Sequence, residues 1–197
     1  MESKKTSAPE SAEHPLQGLK AYLESHQGDS VFEREKGSET AWCLFLHGGR
    51  EVAGRIQQNE PFEIQFLARE GTQEKIHKVQ VNFLCAEADR QELAKQLKRD
   101  ETAAGKKEGP HFLPRFRNHV KNKTLFPLMN RREVLFFTLL NGEVLRGVIS
   151  GFSRYEINLS LKRGTPLVIL RHAVADVRDK KDRSYLKKVV EKTGKYW

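Results

Sequence analysis

Apolar and polar positions alternate with a period of two through two long stretches of the chain. Tyr155, Ile157, Leu159 and Leu161 alternate with Glu156, Asn158 and Ser160, which predicts a strand with one buried and one wet face. Before it, Leu139 to Phe152 contains Asn141-Gly142 between apolar runs. That pair predicts a hairpin closed by a two-residue type I′ turn. Gly147 sits inside the returning strand, where a missing side chain suits a bend or close backbone approach. Lys162-Arg163-Gly164 reads as the next turn, and Leu167–Val177 as further strand.

The first half reads the same way. Ala41–Leu46 predicts a buried strand, Gly48-Gly49 a turn, and Glu51–Gln57 the return. Phe62, Ile64 and Phe66 alternate with Glu63 and Gln65, Arg69-Glu70-Gly71 turns, and Ile76–Leu84 predicts a last strand. Helical spacing is rarer. Leu16, Leu19, Tyr22 and Leu23 predict a helix from His14 to about Ser25, followed by a polar loop over Gly28–Thr40. Ala86–Thr102 favours helix by propensity, Ala103–Gly109 reads as a flexible linker, and Leu125–Arg132 as a short lead helix or turn. Ser184–Thr193 suits an amphipathic helix, with Tyr185, Leu186, Val189 and Val190 on one side.

A shift of 93 residues, without gaps, superposes the two halves. Leu46 falls on Leu139, Gly49 on Gly142, Gly54 on Gly147, Ile56 on Ile149, Phe62 on Tyr155, Gly71 on Gly164, and Val81 on Val174. The glycines weigh most, because each marks a place that side chains would obstruct. One five-stranded unit therefore occurs twice. The division is a disordered lead-in over 1–13, a first unit over 14–85, a helix and basic linker over 86–123, a second unit over 124–178, and a basic tail or helix over 179–197.

Charge separates the halves. Residues 1–110 carry 16 Lys and Arg against 19 Asp and Glu, a balance of −3. Residues 111–197 carry 19 against 7, a balance of +12. A basic module joined to a near-neutral one points to a polyanion, most often nucleic acid. Arg115, Arg117, Lys121 and Lys123 surround Phe112 and Phe116. With the tail from Lys180 to Lys195, they suit nonspecific phosphate contact or solvated charge. Cys43 and Cys85 lie in apolar strands and read as buried thiols. No apolar run is long enough to span a membrane and the first residues are polar, so a cytoplasmic protein is expected. No nucleophile–base set, phosphate loop or metal-ligand spacing stands out, so neither catalysis nor a cofactor is expected.

Leu-x-Asn-Gly-x-x-Leu-x-Gly-x-Ile, then Phe-x-x-Tyr-x-Ile-x-Leu, then Arg-His-Ala-Val-x-x-Val occur in order over about Leu125–Val177. This segment resembles Hfq, the bacterial Sm-like RNA-binding family; residues 15–84 resemble it through the repeat. The resemblance implies a mainly β fold of two Sm-like five-stranded bent antiparallel barrels, each with an N-terminal helix. It further implies rings of six units, hence a homotrimer of tandem chains. The implied partner is RNA, small RNA or mRNA, with uridine-rich RNA held on the pore-side face. The stacking aromatic falls on Tyr155 and Phe62, preceded by Arg154 and Pro61. The family's basic–histidine pair falls on Arg171-His172, and in the first unit on Lys78 and Val79, with His77 beside them. The opposite, adenine-binding face falls on Phe45 in the first unit and Thr138 in the second, and the rim on Arg131 and Arg132.

The residues also support plainer readings. Phe62 and Tyr155 sit in alternating strands, where an aromatic is often core, and His172 suits a hydrogen-bonded structural role. A protein-interaction ring without RNA binding is the alternative function. Pro61, Val79 and Thr138 favour it, and the +12 balance of residues 111–197 opposes it.

Overall fold

The alternating segments become strands of one antiparallel sheet. The computed structural model describes residues 15–106 and 109–186. In chain order the elements are α1 (Leu19–His26), α2 (Val31–Glu35), β1 (Trp42–Leu46), β2 (Glu51–Asn59), β3 (Glu63–Ala68), β4 (Gln73–His77) and β5 (Val81–Ala86). Then follow α3 (Arg90–Ala94), β6 (Lys98–Arg99), α4 (Glu101–Gly105), α5 (Asn122–Asn130) and β7 (Val134–Leu139). The last are β8 (Glu143–Phe152), β9 (Glu156–Ser160), β10 (Pro166–Leu170) and β11 (Val174–Arg178).

The chain is mainly β. Its sheet has 11 strands in the order β11-β7-β8-β9-β10-β5-β1-β2-β3-β4, with β6 added on β8. The family resemblance implies two separate five-stranded barrels. The structure instead runs both sets of five through one open sheet, because β10 pairs with β5 at Val168–Leu84 and Ile169–Phe83. That pairing consumes two edges that would otherwise expose unmade backbone hydrogen bonds.

Within the sheet the two sets match residue for residue. Trp42–Gly54 recurs as Leu135–Gly147, Ile56–Phe66 as Ile149–Leu159, and Ile64–Ile76 as Ile157–Ile169. The bulges fall at corresponding places too, between Ile56 and Gln58 and between Ile149 and Gly151. Gly54 and Gly147 have the same reason to be glycine. A Cβ would lie 2.1 Å from the Leu67 carbonyl oxygen at one and 2.9 Å from that of Ser160 at the other. Ordinary contact distances begin near 3.4 Å, so only glycine admits this strand crossing.

Two cores lie on opposite faces of the junction. One gathers Phe32, Leu44, Ile56, Phe66 and Leu84 from the first set, with Val168 and Leu170 from β10. The other gathers Leu135, Phe137, Ile149, Phe152 and Ile157 from the second set, with Cys43, Phe83 and Cys85 from β1 and β5. Alternate residues of the junction strands thus serve different cores, which explains why Trp-Cys-Leu-Phe-Leu is apolar on both sides. Each large side chain so buried is worth about 1.5–3 kcal/mol. Cys43 and Cys85 are fully buried, free thiols at opposed positions, as buried-thiol chemistry predicts.

The helices depart more from the pattern. α1 precedes the first set in sequence but packs on the second. Leu19 joins the core of Leu125 and Phe152, and the Tyr22 hydroxyl donates to the Phe152 carbonyl (2.9 Å) and accepts its N–H (2.7 Å). The expected loop over Gly28–Thr40 contains α2, whose Val31 and Phe32 are buried. Glu156, expected on a wet face, is buried because its carboxylate accepts from Val31 N–H at 3.0 Å and from the Ser30 hydroxyl at 2.9 Å. The expected helix over Ala86–Thr102 is broken into α3, β6 and α4. Asp100 restarts it as an N-cap, accepting from the Thr102 and Ala103 amides.

The Asn141-Gly142 turn is also not type I′. Gly142 has φ 87° but Asn141 is not left-handed. Gly142 N–H donates to the Leu139 carbonyl at 2.9 Å, which is the longer turn that places its left-handed residue third. The Gly142 carbonyl is thereby free to accept Asp100 N–H at 2.7 Å. Of the tail, Ser184–Leu186 are non-helical, and the remainder of the expected helix lies outside the described residues, as does the 1–13 lead-in.

Candidate nucleic-acid interface

Tyr155 and Phe62 occupy the tight connections β8–β9 and β2–β3. Both rings face outward, 59% and 72% exposed. They are therefore not core residues, although strand alternation alone allows that reading. In each set the backbone ties the aromatic to the basic position. The Tyr155 carbonyl accepts Arg171 N–H at 2.9 Å, and the Phe62 carbonyl accepts Lys78 N–H at 2.8 Å. The residues aligned by the repeat are thus neighbours in space.

The polar members of the set are differently employed. Arg154 is exposed, with its guanidinium 5.3 Å from the Tyr155 ring centroid, a cation over a π-face. Arg171 turns inward. It donates to Asn122 Oδ1 at 2.9 Å and to the Val120 carbonyl at 3.3 Å, and lies 5.4 Å from the Phe152 centroid. Burial lowers its pKa to about 10. It holds the start of α5 against the sheet, so it is not the free cation that the alignment suggests.

His172 is likewise structural first. Its Nε2 lies 2.9 Å from the Val81 carbonyl oxygen, across the β10–β5 junction. Burial, and then the positive charge of Arg117, depress its pKa to about 4. The ring is neutral at pH 7 and bonds the two halves together. In the first set Val79 is buried, and His77 reaches the aromatic without any loop shift. Its ring centroid is 6.5 Å from that of Phe62, nearly parallel. Lys78 donates to the Glu60 carbonyl and lies over the Phe32 ring at 5.8 Å; burial lowers its pKa.

The remaining candidates are scattered. Phe45 is half-buried and stacked on Phe83, with centroids 4.3 Å apart, so its face is already occupied. The Asn141-Gly142 turn beyond it in the second set is covered by β6 and α4. The surface that the resemblance assigns to adenine binding is therefore covered at this turn by the chain itself. Arg131 pairs with Glu133 at 3.1 Å, and Arg132 is exposed at φ 49°. Arg132 also lines a surface cleft of about 320 Å³ with Glu133, Asp179, Lys180, Lys181 and Arg183.

Sequence reasoning placed Phe112 only in a basic linker. The structure lays it on the face of the first set, its ring 5.1 Å from that of His77 and nearly perpendicular to it. No signal in the sequence alone links positions 77 and 112; only their exposure to a common face does. None of the described helices is long and apolar enough to cross a membrane. No protein-family model and no curated protein matches the chain.

Proposed function

We propose that the chain is a tandem Sm-like, Hfq-like protein that binds RNA without catalysis, acting as an RNA chaperone or post-transcriptional regulator. One observation carries the reading. Two outward aromatic rings, Tyr155 and Phe62, stand at equivalent places of a repeated strand unit, each hydrogen-bonded through its backbone to a basic residue. An exposed ring offers a π-face to any unpaired base, and Arg154 adds a cation beside it. The surplus of Lys and Arg in residues 111–197 supplies phosphate neutralisation. Uridine-rich RNA is the expected ligand, with Tyr155 as principal contact. Arg171 and His172 then act from behind by fixing the loop and the junction.

The ends of the sheet support a proposed assembly of copies. The two ends in the strand order are β4 and β11, and the tail covers part of the outer edge of β11, with Tyr185 N–H donating to the Val177 carbonyl at 2.8 Å and Ser184 bridged to Arg178. Under the 93-residue repeat, β4 corresponds to β10 and β11 to β5, the two strands already joined inside the chain. The same register between copies sets Lys75 against Val177, Ile76 against Asp176, and Glu74 against Arg178 of the next chain. A closed ring of three chains satisfies both edges at once, provided that residues 183–185 leave the outer edge of β11. The internal junction is apolar, whereas this one contains a single opposite pair, Glu74 and Arg178, which within the chain are held by Arg50 and by Asp176 and Asp182.

The test is a titration of a uridine-rich oligomer against a scrambled one. The uridine-rich oligomer should bind more tightly, and Tyr155→Ala should weaken it about 5- to 150-fold, the worth of one stacked base. Equal affinity for both oligomers, unchanged in the variant, rejects the site. A ring that captures protein without RNA would instead support the interaction reading.

A further inference from the structure

The exposed large apolar side chains of the described residues are Phe62, Phe112, Leu113, Phe116 and Tyr155. Four of the five are aromatic, and three, Phe112, Leu113 and Phe116, belong to the segment that links the units. Phe112 is 56% exposed, yet it does not hang free. Arg117 grips its backbone, Nη2 donating to the Phe112 carbonyl at 2.8 Å and Nε to that of His111 at 2.7 Å. The ring meets His77 edge-on, and His77 lies nearly parallel to Phe62. Three rings thus form an open row on the first unit. His77 Nδ1 accepts Val79 N–H at 3.2 Å, which leaves the Nε2–H as a donor.

We propose that Phe112 completes, with Phe62 and His77, a slot for an unpaired nucleobase of single-stranded RNA. This rests on the RNA-binding reading above and extends it to the linker. The ring faces supply stacking, and the His77 N–H reaches a base carbonyl or ring nitrogen. Charge selects the occupant. From Pro110 to Lys123 the chain carries Arg115, Arg117, Lys121 and Lys123 and no acidic residue. Nearby Glu60 and Glu63 are both paired with Lys75, at 3.1 and 2.8 Å. An apolar protein surface would gain nothing from that cationic border, whereas a phosphate backbone would. The first unit, whose histidine position is filled by buried Val79, thereby obtains its third ring from outside the repeat.

The test uses the full chain and a fluorescein-labelled oligouridine. Phe112→Ala and Phe112→Leu should each weaken binding about 5- to 150-fold, and Phe112→Trp should retain it. All three should keep the wild-type unfolding midpoint, since the ring lies outside both cores. A 4-thiouridine-substituted oligomer should crosslink to the peptide that contains Phe112. If wild type and Phe112→Ala bind alike while Tyr155→Ala weakens binding, the linker slot is wrong and the RNA reading stands. If Phe112→Leu binds like wild type, the ring is a mere apolar contact and the slot is equally wrong. If wild type prefers no RNA, the RNA reading fails and the slot with it.

Discussion

Protonating His172 should loosen the joint between the two halves. In the folded chain burial holds its pKa near 4, against an ordinary value near 6.5. The folded state therefore binds fewer protons than the unfolded state across that interval. Stability from this group is complete above about pH 6.5 and is lost as pH falls towards 4. Each tenfold change in proton affinity is worth about 1.4 kcal/mol, so the whole loss is about 3 kcal/mol. About 2 kcal/mol of it falls between pH 7.5 and 5. Arg117 sharpens the effect, because its positive charge opposes a protonated imidazole. The assay is urea unfolding of wild type and His172→Gln at several pH values. At pH 7.5 the variant should be the less stable by about 1 kcal/mol, the worth of the bond to Val81. Towards pH 5 the difference should shrink and then reverse, because glutamine has no charge to bury. A difference that stays constant with pH would refute the buried, neutral histidine and its place in the junction.

Two further outcomes follow from the same geometry. Gly54→Ala should cost about 3 kcal/mol or more, since a Cβ would press on the Leu67 backbone at 2.1 Å. Gly151→Ala, whose nearest neighbour is the Asn158 side-chain amide at 3.4 Å, should be nearly neutral; thermal unfolding compares them. Mass in solution should correspond to three chains at low salt. Glu74→Arg should dissociate them and Arg178→Glu added to it should restore them, while a single-chain mass throughout would reject the ring.

The strands were legible because each carries its own signal. Period-two alternation gave β3 and β9, and the glycines at 54 and 147 marked crossings that no side chain permits. The repeat was legible for the same reason, because every turn needs its glycine at a fixed distance. What depends on the other half of the molecule was not legible. Val31 and Phe32 sit in a polar stretch, and their short helix is fixed by burial of both side chains and by Glu156, 125 residues away, which accepts the Val31 N–H. The inward turn of Arg171 is set by Val120 and Asn122, and the neutral state of His172 by Val81. Sequence spacing aligned both with an exposed face, but burial assigned Arg171 to the anchoring of α5 and His172 to the junction. Phe45 illustrates the limit from the other side, since its partner Phe83 lies on a strand whose pairing no local pattern announces.

The central claim is that the outward aromatics of the repeated unit hold RNA. Crosslinking the protein to its ligands in cells and sequencing the recovered RNA tests it most directly. The account predicts uridine-rich reads recovered with wild type and strongly depleted with Tyr155→Ala. Recovery of protein partners with no RNA above background, in wild type and variant alike, would contradict it.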